Sequence, residues 1–152
     1  MLATIGYDRD SVYITSVVRQ RPYSIKEVVD KKTGAKVTKK PNRTPTKKEV
    51  LAFANLFDWE LAQVQPKIIV PLGNTALQRL LGPQANIGKL HGRLLDQPIQ
   101  HAKKDGSGYE LATTNSLLVP MYHPAAVLYS RKLEPTILRD WQRLGEFIQN
   151  TN

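Results

Sequence analysis

His123 lies in the stretch Leu117 to Lys132, LLVPMYHPAAVLYSRK, which carries one imidazole from the end of an apolar run into a loop of small residues followed by a basic pair. An imidazole so placed can hand a hydrogen bond or a proton to a bound group. Ala125 and Ala126 let a partner approach the backbone, Val127, Leu128 and Tyr129 can wedge, and Arg131 with Lys132 can reach phosphates. Taken alone, the segment favours a packed loop with a hydrogen-bonded histidine, because lone histidines serve structure more often than catalysis. The turn Gly73, Asn74, Thr75 is a second candidate: it joins the apolar run Lys67 to Leu72 to a helix over Ala76 to Leu81 that Gly82 closes. Free N–H groups at such a helix start can hold an anion, although many strand-to-helix turns share the pattern. His91 reads as a turn histidine bonded to backbone and His101 as exposed, and the three histidines show no metal-ligand spacing.

The elements that must position these residues alternate between strand and helix. Leu117, Leu118, Val119 and Met121 suit a strand covered on both faces, with Pro120 marking an edge or an early end. Val12 to Val18, VYITSVV, is rich in β-branched residues and predicts another strand, left through the basic loop Arg19, Gln20, Arg21, Pro22. Residues 23 to 40 predict a protruding hairpin studded with lysines. An arm lying on a phosphate backbone and a solvated edge protected by its charge explain it about equally well. Thr46 to Glu49 form a capping box opening a helix whose Val50, Leu51, Ala54, Phe57, Leu61 and Val64 share a face, ended by Pro66. Short strands follow from Ile87 to Asn115 with a second hairpin around Lys103 to Gly108. The last helix, Pro135 to Ile148, turns Ile137, Leu138, Trp141, Leu144 and Ile148 to the core. Met1, Leu2 and Ile5 form one apolar turn closed by Gly6, so the chain reads as beginning inside a helix.

At 152 residues the chain predicts one α/β domain. Its net charge of +9, with aromatics interleaved among basic residues, points to nucleic acid before a membrane, while surface lysines kept for solubility account for the charge about as well. With no cysteine, disulfides, thiol catalysis and cysteine-bound zinc or iron–sulfur sites are excluded. No apolar run reaches bilayer length and the N-terminus is not of the signal type, which makes the cytoplasm the expected location.

Five ordered blocks, VYITSVVRQRP from Val12, NRTPT from Asn42, PKIIVPLG from Pro66, LHGR from Leu90 and YHPAA from Tyr122, together resemble the uracil-DNA glycosylase superfamily, closest to the bacterial and phage-type branch related to family four. The resemblance implies a three-layer α/β/α fold with a short four-stranded parallel sheet, DNA crossing the carboxyl ends of the strands, and a pocket for an extruded uracil. It implies that His123 donates to the uracil carbonyl oxygen as the N-glycosidic bond breaks. Val127 or Leu128 would be the wedge, with Arg131 and Lys132 on the backbone; Gly73, Asn74 and Thr75 would bind phosphate, and Arg19, Arg21 and Arg43 would face DNA.

Three departures qualify that picture. Ser16 stands where family four carries the asparagine that reads the uracil edge, and one hydroxyl replaces an amide's donor and acceptor. Gln20 and Phe53 stand at two cluster-cysteine positions, which implies a branch with no iron–sulfur cofactor. The glycine-rich first motif that handles the water lies upstream of the first residue, so the first strand is expected to be missing. In a family strand order of 2-1-3-4, that gap would expose two inner edges. The expectation is a chain that is destabilised, that rearranges or that pairs with another copy through those edges, and that excises bases poorly. The alternatives are a noncatalytic DNA-binding module of the same fold and, less favoured, a small-ligand-binding α/β protein.

Overall fold

The computed structural model describes residues 1–152. Leu2–Ile5 is a single 3-10 turn that stops at Gly6, whose left-handed φ of 78° lets its N–H close the turn. A hairpin follows, β1 (Lys26–Val29) pairing antiparallel with β2 (Lys36–Lys39), then α1 (Lys47–Ala52) and α2 (Ala54–Val64). After these come α3 (Gly73–Leu81), the one-turn α4 (Ile87–Leu90), and the longer antiparallel pair β3 (Leu95–Ala102) and β4 (Tyr109–Leu118). The short α5 (Ala126–Tyr129), a 3-10 turn at Arg131–Leu133 and α6 (Glu134–Thr151) complete the chain.

The expected four-stranded parallel sheet is not what the structure contains. Its regular ladders are the two antiparallel hairpins, and parallel pairing is confined to two bridges, Ile69 with Leu118 and Leu72 with Met121. Four backbone bonds make this seam: Ile69 N–H to Leu117 O, Val119 N–H to Ile69 O, Met121 N–H to Pro71 O and Gly73 N–H to Met121 O. Apolar side chains gather on both sides of this seam. One core joins Val17, Phe57, Leu80, Ile99 and Leu118 on the side of α2, α3 and β3. The other joins Val119, Met121, Ile137, Trp141 and Leu144, with Leu2 and Ile5, on the side of α6. Ile69 faces the first core and Ile68 and Val70 the second, the alternation of a strand covered on both faces.

VYITSVV is not a strand. No backbone group from Tyr13 to Val18 bonds to another backbone group, because β-branched composition favours extension but a strand exists only when a neighbour completes the ladder. Side chains fix this segment instead. Tyr13 Oη (2.8 Å) and Thr15 Oγ1 (2.7 Å) donate to the buried Glu60 carboxylate of α2, Arg19 pairs with it, and Val17 enters the first core. The Arg19 hydrogen bond is the main influence holding Glu60 down at a pKa of about 2, against the burial that would raise it.

The capped helix also differs from its prediction. Thr46 and Glu49 do form the reciprocal box, but the helix breaks at Phe53, and Val64 is exposed while Glu60 is buried. LHGR is the end of α4 and a turn, not a strand, and Leu138 of α6 lies partly in solvent. Arg79 of α3, almost fully buried, pairs with Asp58 of α2, donates to Gln100 O (2.9 Å) and lies between the rings of Phe57 and Tyr109. Asp58 also accepts from Ala102 N–H (2.7 Å), so one ion pair ties two helices to both strands of the long hairpin.

Candidate active site and nucleic-acid interface

Both strands of the parallel seam end at the same place, so the loop after each is delivered to one patch of surface. After Leu72 the chain turns straight into α3 through Gly73, whose φ of 84° suits glycine. A Cβ built on Gly73 would lie 3.8 Å from His123 Cβ, which measures how closely the two loops meet. The Gly73 N–H is taken by Met121 O, whereas those of Asn74 and Thr75 have no acceptor within the chain. The Asn74 side chain is occupied: its Oδ1 accepts from Ile87 N–H (2.8 Å) and binds the start of α4 to the start of α3.

His123 is exposed, and its Nδ1 accepts a hydrogen bond from Ala125 N–H (3.1 Å). An accepting Nδ1 places the neutral ring's proton on Nε2, leaving Nε2–H as an outward donor. No carboxylate hydrogen-bonds to this ring. Beyond it, Val127 packs into the second core, while Leu128 and Tyr129 stand 84% and 90% exposed, so of the two wedge candidates Leu128 is the one that projects. Arg131 and Lys132 are exposed and make no ion pair or side-chain hydrogen bond. Tyr122 turns the other way and stacks on His91, ring centroids 4.7 Å apart.

Other basic residues expected at the interface have partners inside the fold. Arg19 is committed to Glu60, and Arg21 to Asn42 and Lys40 O. Arg43 grips both oxygens of Glu49 (2.8 and 2.6 Å) and donates to Tyr23 O and Thr44 O. That grip, ahead of the Thr46 N–H bond, holds the Glu49 carboxyl down at about 2. Ser16 is exposed and makes no hydrogen bond, to the loops of His123 and Gly73 or to any other group. His91 bonds not to backbone, as expected, but through Nδ1 to Asp140 Oδ2 (2.6 Å), a carboxylate that is 1% exposed. Nothing in the sequence links those two positions, nor Glu60 to Arg19.

A sequence model of the Uracil DNA glycosylase superfamily matches residues 1–145, nearly the whole chain. The chain belongs to this superfamily. It is 30% identical over 148 residues to a type-4 uracil-DNA glycosylase of Archaeoglobus fulgidus, covering 96% of this chain and 61% of that protein. It is 28% identical over 152 residues to the type-4 enzyme of Thermotoga maritima, covering 98% of this chain and 62% of that one. A DNA polymerase of Bacillus phage SP01 is 28% identical over 149 residues, covering 97% of this chain but only 12% of the polymerase. The chain thus spans about three-fifths of the type-4 relatives named.

The relation to family four raises the iron–sulfur cluster, and the residues present do not fit one. Gln20 and Phe53, which the resemblance sets at two cysteine positions, border a cavity of about 330 Å³ with Val18, Tyr23, Arg43 and Glu49, and no thiolate is among its walls. Arg43, bonded to Glu49 and to the Tyr23 carbonyl, places a guanidinium and a carboxylate on the same walls. No group of three His, Asp or Glu side chains is disposed to hold a metal ion, and no helix is long and apolar enough to cross a membrane.

Proposed function

We propose that this chain is a uracil-DNA glycosylase-like DNA-repair module that binds DNA, receives an extruded uracil or related damaged base, and promotes hydrolysis of its N-glycosidic bond. The observation that carries this reading is the outward Nε2–H of His123, fixed by the Ala125 amide and set beside the unbonded N–H groups of Asn74 and Thr75. As the bond breaks, negative charge develops on the departing base, and a donor already oriented there stabilises it without reorganising. Asn74 and Thr75 would hold phosphate through backbone N–H groups, Leu128 would occupy the space the base vacates, and Arg131 with Lys132 would neutralise the displaced strand. Ser16 would meet the base edge with a single hydroxyl, giving weaker selectivity for uracil than an amide gives.

A second reading, a noncatalytic DNA-binding module, is favoured by Ser16 at the base-reading position and by the match of 97% of this chain to a small part of a phage DNA polymerase. Single-turnover cleavage of a uracil-containing oligonucleotide by the chain and by His123→Ala decides between them. Excision that falls about 100-fold on substitution supports the glycosylase. Identical rates with and without His123 would sink it, and salt-sensitive DNA binding with no excision would leave the binding module.

A further inference from the structure

The fold leaves one more imidazole unexplained beside the His123 loop. His91 follows α4, its ring stacked on Tyr122 and its Nδ1 on Asp140. Asp140 is buried on α6, and His91 is the only side chain that hydrogen-bonds it. A carboxylate taken from water needs a donor, which assigns the His91 tautomer whose Nδ1–H donates a hydrogen bond to Oδ2. The approach is so close that a Cβ on Gly92 would lie 2.3 Å from Asp140 Oδ1. His91 keeps 24% of its side chain exposed, and Nε2, unpartnered within the chain, is open to solvent. Lys89 and Arg93 flank it, both exposed and without an acidic partner.

We propose that Lys89, His91 and Arg93 form a second phosphate-binding station, separate from the starts of α3 and α5, which takes a phosphodiester group of the bound DNA. Asp140 holds the ring through Nδ1 (2.6 Å) and leaves Nε2, with Lys89 and Arg93 on either side of it in the chain, to meet a phosphate oxygen. Tyr122 joins this station to the neighbouring His123, so a strand held at one is held against the other. The proposal rests on the reading of the chain as a DNA-binding module.

The test is fluorescence-anisotropy titration of a labelled uracil-containing duplex between 50 and 200 mM salt. It compares the parent chain, Lys89→Ala with Arg93→Ala, and His91→Gln with Asp140→Asn, the last leaving a neutral amide pair where the His91–Asp140 hydrogen bond stood. Each phosphate contact contributes about 0.9 to the slope of log affinity against log salt. The surface pair is expected to flatten the slope by nearly two such steps and the amide pair by about one, with affinity at low salt down about 5-fold or more. His91→Lys, which puts a cation there, should retain the parent slope. An unchanged slope in the Lys89→Ala, Arg93→Ala variant overturns the station whether or not the amide pair folds, and an unchanged slope in a folded amide pair removes His91 from it. A parent chain whose binding shows no salt dependence overturns the DNA reading itself, an outcome separate from the other two.

Discussion

At Gly92 the chain takes φ of 67° and passes so close to Asp140 that no side chain fits between them. Gly92→Ala is therefore expected to destabilise the protein by about 2–4 kcal/mol, one part from the left-handed backbone and the rest from displacing the carboxylate. Urea denaturation measures it, and a loss under about 1 kcal/mol would mean that the Asp140 side chain yields without cost. Leu128→Ala, by contrast, removes a side chain that touches solvent, so the melting temperature should hold while affinity for a uracil-containing duplex falls about 10-fold. Equal affinities would remove Leu128 from the interface. Legibility at this scale follows sequence distance. His123, Leu128 and Arg131 could be singled out because they lie within one local run, and all three side chains are exposed. Glu60, Asp140 and the occupied guanidinium of Arg19 were not, because each partner lies more than 40 residues away and no spacing rule connects them. Arg43 and Glu49 lie closer, 6 residues apart, yet the arginine was read as free for DNA because a capping box announces only its own two members.

Among the elements, the helices were legible because a 3.6-residue period and a capping box are local signals, and α6 and α3 fall where the pattern put them. The strands were less so. VYITSVV has strand composition without a ladder, and the parallel seam joins distant segments whose pairing no periodicity specifies. Two outcomes follow from this segment. Backbone amides from Tyr13 to Val18 should exchange with deuterium much faster than those of Ile69, Val119 and Met121, which are bonded; comparable protection would mean that the segment has a backbone partner. Its attachment should also be acid-sensitive. Glu60 is depressed from an ordinary 4.5 to about 2, so its contribution is present above about pH 4.5 and is lost as pH falls toward 2. Glu60→Gln should be less stable than the parent at pH 7, and that difference should shrink on acidification; a difference that does not change with pH would show that the ion pair contributes nothing.

Across the whole molecule, the positive charge is unevenly spread. Six lysines against two acidic residues lie between Lys26 and Lys40, in a hairpin whose β2 is exposed along its full length. An arm touching so little of its own protein can lose charge without cost to folding. Replacing Lys31, Lys32, Lys36 and Lys39 with alanine should leave stability within about 0.5 kcal/mol. If the hairpin lies on DNA, the salt slope of binding should flatten by about two phosphate contacts or more. An unchanged slope would assign the charge to solubility.

The four hydrogen bonds of the parallel seam also set an order of events in time. The Gly73 loop leaves the ribosome well before the His123 loop, with α4 and the whole β3–β4 hairpin made in between. Closing so long a loop is entropically costly until the intervening hairpin has shortened it. The two loops therefore meet only after that hairpin has zipped, and during synthesis the nascent chain carries the Gly73 turn long before it owns the imidazole that will lie beside it.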